Sequence, residues 1–154
     1  MTTERLYFAR LKLRGAEDGH DDLVPVQFMS THDLSVLLVE DSQLLADRLR
    51  EAIVHMPGVQ LAGTVDNETD AVATMKRQRV DVALLDLHLR GGTGFSVLRA
   101  INSGELGKVT AIVLTNHDLG EYRRAAAALG ARHFLDKLRD FDLLPELLQQ
   151  ISAG

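Results

Sequence analysis

Five short apolar runs rich in β-branched residues alternate with segments of helical periodicity, and this alternation restricts the fold more than any other feature. The runs read SVLLVE, VQLAGTVD, DVALLDL, TAIVLT and HFLD, and the first begins at residue 35. Apolar residues between the first four runs recur at helical spacing, at Leu45, Leu49, Ile53, Met56, Ala71, Met75, Phe95, Leu98 and Ile101. Strands that alternate with helices indicate a parallel sheet covered on both faces, with right-handed crossovers. We therefore predict a doubly wound α/β domain.

Two further helices are marked by their ends. The Ala-rich segment DLGEYRRAAAALG stops at Gly130, a residue type that often follows the last turn of a helix. The final segment, FDLLPELLQQI, carries Pro145. Proline is tolerated in the first helical turn, where the backbone N–H groups have no partner within the helix. The pattern thus predicts a fourth and a fifth helix.

The first 34 residues lack this regular pattern. They include the acidic, Gly- and Pro-containing stretch GAEDGHDDLVP, which is typical of a linker. We expect a flexible N-terminal extension over residues 1–34 and one domain over residues 35–154.

Composition excludes several classes of protein. The formal charge of −5 argues against a general binder of nucleic acid or of anionic membranes, since both need a basic surface. The absence of cysteine excludes disulfides, thiolate metal sites and cysteine nucleophiles. No apolar run approaches the roughly 20 residues of a membrane span, and the N-terminus lacks the apolar core of a secretion signal. A cytoplasmic protein without membrane or nucleic-acid partners is expected.

Polar residues stand at the carboxyl ends of four of the five predicted strands. The first strand ends in Glu40 and Asp41, the third delivers Asp86, the fourth ends in Thr115, and the fifth ends in Lys137. Taken singly, each has an ordinary structural explanation as a helix cap, a turn residue or a solvated side chain. Ligands of open α/β sheets bind at this edge, so the combination predicts a functional site.

The segments VLLVEDSQLLADRLREAI, LLDLHLRGGTGFSVL, VLTN and HFLDK resemble, in order, the signatures of the receiver domain of two-component response regulators. The resemblance covers residues 35–152 and implies a flavodoxin-like fold with strand order 2-1-3-4-5. It also implies that a histidine kinase or a His-phosphotransfer protein donates a phosphoryl group to an aspartate. By position, Asp86 is the expected phosphoacceptor. No enzymatic activity is expected beyond self-phosphorylation from phosphodonors and autodephosphorylation.

Three carboxylates on one edge repel each other unless a divalent cation neutralises them, and Mg²⁺ prefers oxygen ligands. The resemblance implies that Asp41, Asp86 and the backbone carbonyl of His88 bind Mg²⁺ directly, and that Glu40 acts largely through a bound water. Lys137 and Thr115 are expected to bind the phosphoryl oxygens.

Some positions depart from the family pattern. Arg90 stands where a proline is common, although the glycines at 91, 92 and 94 are expected to keep the turn flexible. Leu138 replaces a proline whose peptide bond is cis, and a non-proline cis bond costs ~2.5–4 kcal/mol, so a trans bond is expected here. Asn116 replaces a smaller residue and could narrow the approach to Asp86. Along with it, His88 and His117 are candidates for tuning the lifetime of the phosphoryl group, or else are exposed loop residues.

Family resemblance also implies a switch made of Thr115 and Phe134. Phosphorylation would draw Thr115 toward the phosphate and let the ring of Phe134 swing inward, unless Phe134 is a permanently buried core residue. The surface formed by the fourth helix, the fifth strand and the fifth helix would then bind a downstream protein or form a phosphorylation-dependent dimer. Only one helix follows Lys137, too short for a helix-turn-helix unit, so a single-domain response regulator that signals by protein contact is expected.

Three alternatives stay open from the residues alone. A flavin- or nucleotide-binding domain would need a phosphate-binding loop rich in Gly, Ser or Thr after the first strand, where this chain has Glu40 and Asp41. A metal-dependent hydrolase would place a second aspartate at position 88. A receiver-like interaction module that never carries phosphate typically lacks an acid, the acceptor or the lysine, and this chain keeps all of them.

Overall fold

The structure, a computed structural model, describes residues 32–116 and 120–154. Within them, five strands and five helices alternate. The strands are β1 (Leu34–Val39), β2 (Val59–Val65), β3 (Val82–Leu85), β4 (Thr110–Thr115) and β5 (His133–Asp136). The helices are α1 (Gln43–Val54), α2 (Glu68–Arg77), α3 (Gly94–Asn102), α4 (Gly120–Ala128) and α5 (Leu144–Ala153), and a 3-10 turn at Phe141–Leu143 precedes α5.

All strand pairs are parallel, and the sheet has the order β2-β1-β3-β4-β5. The chain builds the sheet outward from β1 in one direction and then crosses back to extend it in the other. This arrangement confirms the predicted doubly wound, flavodoxin-like fold, and it places the point of reversal between the carboxyl ends of β1 and β3.

Strand β1 shows why the sheet is covered on both faces, because all six of its residues are buried. Val36 and Leu38 pack into one core with residues of α1 and α5, whereas Leu37 and Val39 pack into the other with residues of α2 and α3. Successive side chains of a strand point to opposite faces, so a continuous apolar run is what two cores require.

The boundaries agree with the predictions to within a few residues. Strand β3 is shorter than the run DVALLDL, so Asp86 lies just beyond its end, and Lys137 likewise follows β5. Met56 lies past the end of α1 but still packs against the core on that side. Pro145 lies in the first turn of α5, as predicted. Gly130 has φ +90°, a left-handed conformation that suits glycine after a helix.

Most of the predicted N-terminal extension, residues 1–31, lies outside the described residues, and Leu34 already belongs to β1. The division of the chain at residue 34 therefore stays a prediction. Among the helices that the structure describes, none combines the length and the apolar character needed to cross a membrane.

Candidate functional site

Hydrogen bonds of the sheet continue past the last apolar residues and fix the backbone of the predicted site. The amide of Glu40 donates to the last carbonyl of β2 at 2.9 Å, and the amide of Asp86 donates to the carbonyl of Val39, also at 2.9 Å. The amide of Lys137 donates to the carbonyl of Thr115 at 3.0 Å. Because the strands are parallel, these residues emerge at one edge of the sheet, as the sequence predicted.

Lys137 joins two of the predicted carboxylates in a buried ion-pair network. Its Nζ lies 2.7 Å from Oε2 of Glu40 and 2.8 Å from Oδ2 of Asp86. Glu40, Asp86 and Lys137 are 5%, 6% and 8% exposed, so water screens these charges little. Lys137 is 97 positions from Glu40 and 51 positions from Asp86 in the chain, so the cluster joins distant parts of the sequence.

Asp41 completes the acidic cluster at a half-buried position. One carboxylate oxygen from each of Glu40, Asp41 and Asp86 can be chosen so that all three lie within 4.8 Å of one another. Three ionised carboxylates and the single ammonium of Lys137 leave a formal charge of −2 at the site (−3 + 1). A cluster of hard oxygen donors with an excess of negative charge suits a small divalent cation such as Mg²⁺.

Burial and charge affect the two partners of the ion pair differently. Desolvation raises the pKa of Glu40 above its ordinary value of 4.5, although hydrogen bonds from Lys137 and from the amide of Ser42 act in the opposite direction. Desolvation by itself lowers the pKa of Lys137, but hydrogen bonds to Asp86 and Glu40 outweigh it, so the pKa is raised above 10.5. Lys137 is therefore a firmly charged ammonium, whereas ionised Glu40 is the less favourable member of the cluster.

The loop after β3 holds Asp86 through close backbone contacts. Oδ1 of Asp86 accepts the amide N–H of His88 at 3.2 Å, so both carboxylate oxygens have a partner. Helix α3 begins directly against this loop, and its first residue is Gly94. A Cβ there would meet the carbonyl oxygen of Asp86 and lie 2.7 Å from the Cα of Leu87. Only glycine, which has no Cβ, lets the helix start so close to the end of β3.

Gly91 and Gly92 attach the same loop to the start of α2. The carbonyl of Gly91 accepts the amide of Glu68 at 2.9 Å. Gly92 has φ +77°, and a Cβ there would lie 2.7 Å from the Cβ of Glu68. The sequence predicted these glycines as a source of flexibility, whereas their roles here are a left-handed conformation and close packing.

A feature that sequence reasoning missed holds the loop of Lys137. Oδ1 of Asp136 accepts the amides of Leu138 at 2.8 Å and Arg139 at 3.0 Å, and the amide of Asp136 donates to Oδ2 of Asp140 at 2.8 Å. Backbone hydrogen bonds from Arg139 and Leu138 hold the pKa of Asp136 below 3.8. None of the described peptide bonds is cis, which agrees with the trans bond expected at Leu138. The available signal was Asp136 itself, a residue type that forms such turns.

His88 and Asn116 are both exposed. The ring of His88 contacts Tyr122 of α4 edge to face, with centroids 5.9 Å apart, and Tyr122 in turn lies 5.9 Å from the ring of Phe95 in α3. This aromatic cluster connects the acceptor loop with two helices. His117 lies outside the described residues. Tuning roles for these three positions stay predictions.

The two predicted switch residues differ in burial. Thr115 is fully buried at the end of β4. Phe134 is half-buried and packs against the core on the α2 and α3 side of the sheet, so the switch and the permanently buried core residue both stay predictions. In the sheet register it pairs with Val113, two residues before Thr115.

This geometry defines a doubly wound domain with an acidic, lysine-bridged site at its switch point. Residues 36–149 match the response regulator receiver domain, and the chain belongs to this family. It is 31% identical to the nitrate/nitrite response regulator protein NarP of Escherichia coli over 77% of this chain and 54% of that protein. It is 29% identical to the response regulator UvrY of Escherichia coli over 68% of this chain and 47% of that protein.

Solved structures agree with the fold. A signal receiver domain from Mycobacterium tuberculosis is similar with a TM-score of 0.73 and 25% identity, over 80% of this chain and 98% of that one. A DNA-binding response regulator of the LuxR family from Staphylococcus aureus has a TM-score of 0.71 and 23% identity, over 77% and 98% of the two chains.

The chain spans about half the length of the curated relatives it matches. The predictions of a single-domain regulator and of no nucleic-acid partner therefore stay untested.

Proposed function

We propose that this receiver domain accepts a phosphoryl group on Asp86 from a histidine kinase or a His-phosphotransfer protein, in a reaction that depends on Mg²⁺. The observation that carries this proposal is the buried contact of Asp86 with Lys137, beside two further carboxylates. Apart from self-phosphorylation and autodephosphorylation, the domain has no catalytic activity of its own in this proposal.

In the transfer, a carboxylate oxygen of Asp86 attacks phosphorus, an acyl phosphate forms, and the bond to the donor's imidazole nitrogen breaks. Lys137 is already charged and held 2.8 Å from Asp86, so it is placed to bind the phosphoryl oxygens as they arrive. Proteins accelerate phosphoryl transfer mainly by such positioning and by stabilising the charge on the transferred group.

Asp41, Asp86, the backbone carbonyl of His88 and, through water, Glu40 would hold the metal. The cluster fits it, because its donors are oxygens and its formal charge is −2. When bound, Mg²⁺ supplies the positive charge that brings an anionic phosphoryl group to an acidic site.

Intact-mass measurement after incubation with acetyl phosphate and Mg²⁺ tests the acceptor. We expect one phosphate adduct on the wild-type chain and none on Asp86→Asn. Asp66→Asn is a matched control, because Asp66 is exposed and follows β2 at the same edge of the sheet, and this variant should keep the adduct. An equal adduct on Asp86→Asn would refute the assignment, and a wild-type chain without an adduct would favour the phosphorylation-independent interaction module.

Thermal melts with and without Mg²⁺ test the metal ligands. A ligand that binds only the folded state raises the free energy of unfolding by about 2.7 kcal/mol when its concentration is about 100 times its Kd. The wild type should therefore melt higher with Mg²⁺, and Asp41→Ala should lose most of the shift. Asp47→Ala is the control. It removes an exposed carboxylate of α1 paired with Arg50, and its melting temperature should rise with Mg²⁺ as much as that of the wild type. A full shift in Asp41→Ala would exclude Asp41 as a ligand.

For the output, we propose that phosphorylation changes the surface of α4, β5 and α5 through Thr115 and Phe134, and that this surface binds a downstream protein or a second copy of the chain. Hydrogen exchange with and without beryllofluoride, a mimic of the phosphoryl group, should show altered protection over residues 115–140 of the wild type. The response should be weaker in Thr115→Ala and unchanged in Thr110→Ala, at the opposite end of β4. Changes confined to the loops around Asp86 would contradict this route.

A further inference from the structure

One side chain of α4 contacts both the ring and the backbone of Phe134. The guanidinium carbon of Arg123 lies 4.6 Å from the centroid of the Phe134 ring. Nη1 of the same guanidinium donates to the carbonyl oxygen of Phe134 at 3.3 Å. A planar guanidinium can stack on a ring and donate hydrogen bonds at its edge at the same time, whereas an ammonium has no plane that could stack. Arg123 thus fixes β5 to α4 at this residue.

Strand β5 leads from this contact to the acidic site. Lys137 follows Phe134 by three residues, and its amide bonds to the carbonyl of Thr115 at 3.0 Å. The ammonium of Lys137 contacts Glu40 and Asp86 in the buried cluster. A displacement at the end of β5 would therefore reach both the partner of Asp86 and the neighbour of Thr115.

We propose that Arg123 is a positioning residue that holds the end of β5 in the arrangement of the unphosphorylated domain. This inference rests on the function proposed above. A phosphoryl group on Asp86 adds anionic oxygens that compete with Glu40 for Lys137, and the end of β5 has to adjust as Lys137 moves to them. Because Arg123 contacts Phe134 in the unphosphorylated arrangement, its contact opposes that adjustment.

The size of the effect follows from population shift. If the contact is made in the unphosphorylated arrangement of β5 and not in the phosphorylated one, it shifts the equilibrium between the two by at most its own free energy. Exposed cation–π contacts are weak, so removing this one should change the affinity for a ligand of the other arrangement about two- to fivefold. The sign is specific, because loss of the contact should strengthen binding.

Titration of the full chain with beryllofluoride at fixed Mg²⁺, followed by amide NMR, tests the inference. Arg123→Ala should bind about two- to fivefold more tightly than the wild type. Arg123→Lys keeps the charge but loses the planar group, so its affinity should lie between those of the wild type and Arg123→Ala. Arg124→Ala is the matched control on the next residue of the same helix, and its affinity should equal that of the wild type. In a Phe134→Leu background, which keeps the backbone carbonyl and removes the ring, Arg123→Ala should cause a smaller change than in the wild type.

Each other outcome has a definite meaning. Unchanged or weaker binding by Arg123→Ala would overturn the inference, even if that variant melts at a lower temperature, since Arg123 would then only stabilise the fold. An equal gain in Arg124→Ala would overturn it too, because the cause would be loss of positive charge on α4. A wild-type chain that does not bind beryllofluoride would overturn the proposed function and this inference together, whereas normal wild-type binding with unchanged Arg123→Ala affinity would overturn the inference alone.

Discussion

Two loops deliver opposite charges to the same site, and they are held in different ways. The loop after β3 brings in Asp86 and is shaped by glycines whose missing side chains allow α2 and α3 to pack against it. The loop after β5 brings in Lys137 and is shaped by the carboxylates of Asp136 and Asp140, which bind backbone amides. The first loop depends on glycines that leave room for the neighbouring helices, and the second on aspartate side chains that accept backbone N–H groups.

The loop after β5 shows that a loop can be held in place without the residue that is usual in the family. Leu138 replaces the expected proline, yet Lys137 still reaches Glu40 and Asp86. The backbone amides of the two residues after Lys137 donate to the carboxylate of Asp136, and these hydrogen bonds supply the local restraint here. The two loops should consequently respond differently to substitution, with the sterically restricted loop the more sensitive.

The largest effect is expected for Gly94→Ala. Its Cβ would overlap the carbonyl of Asp86, and forced overpacking of this kind costs about 1–3 kcal/mol, despite the better helix propensity of alanine. Gly63→Ala is the control, because a Cβ there would lie 3.7 Å from Cδ1 of Leu37, an ordinary contact. Urea unfolding should show a loss for Gly94→Ala and little change for Gly63→Ala. Equal free energies of unfolding would mean that the loop adapts and that its glycine is not required.

Asp140→Ala tests the second loop. The variant removes the carboxylate that accepts the amide of Asp136 at 2.8 Å, and a lost hydrogen bond of this type costs about 1 kcal/mol. Asp142→Ala, two residues further along and exposed, should have little effect on the free energy of unfolding. If both variants unfold at the same urea concentration, hydrogen bonding does not hold this loop.

Leu138→Pro restores the residue that is usual in the family, and we expect it to lower the melting temperature slightly. Proline has no N–H, so the 2.8 Å bond from residue 138 to Asp136 would be lost. The reduced freedom of the unfolded chain offsets part of this loss, so the effect should be smaller than that of Asp140→Ala. Leu138→Ala keeps the N–H and removes a side chain that is 85% exposed, so its melting temperature should not change. A more stable Leu138→Pro would contradict the role assigned to Asp136.

The smallest effect concerns Glu40, which contacts the lysine of one loop beside the aspartate of the other. Its pKa is raised in the folded state above 4.5, chiefly by desolvation, so the folded state takes up a proton at a higher pH than the unfolded state does. Its contribution to stability is therefore fully present below pH 4.5 and is lost as the pH rises through the folded-state pKa.

Melting temperatures in Mg²⁺-free buffer between pH 7 and pH 4.5 should show this dependence. The wild type should gain stability relative to Glu40→Gln as the pH falls. Glu51→Gln, at an exposed position of α1, should follow the wild type throughout. A constant difference between wild type and Glu40→Gln over this range would show that Glu40 does not change its protonation on folding.

Much of the fold could be predicted, because the apolar periodicity and the order of the segments along the chain indicate strands, helices and a parallel sheet. The run from Val36 to Val39 is apolar at every position and rich in β-branched residues, as in a strand covered on both faces. The acids after β1 and β3 could be placed at one edge because parallel strands end on the same side. The order of the strands came from family resemblance rather than from periodicity.

The supports of the site were harder to predict. Gly94 was read as a flexible residue because the sequence does not show that α3 starts against the carbonyl of Asp86. The sequence does not distinguish Asp136 and Asp140 from other aspartates. Only the folded turn places their carboxylates where they accept backbone N–H groups. Arg123 lies 11 residues before Phe134, and only the packing of α4 beside β5 brings them into contact.

The alternation of strands and helices, the edge at which the functional groups gather, and the chemical types present there can all be predicted from the amino-acid sequence alone. These follow from periodicity and from residue identity, which are local properties of the chain. The pairing of Lys137 with Glu40 as well as Asp86 became visible only in the packed structure, as did the burial that raises the pKa of Glu40. Distances, desolvation and steric overlap between residues far apart in the chain exist only once the elements have packed, so no local pattern can specify them.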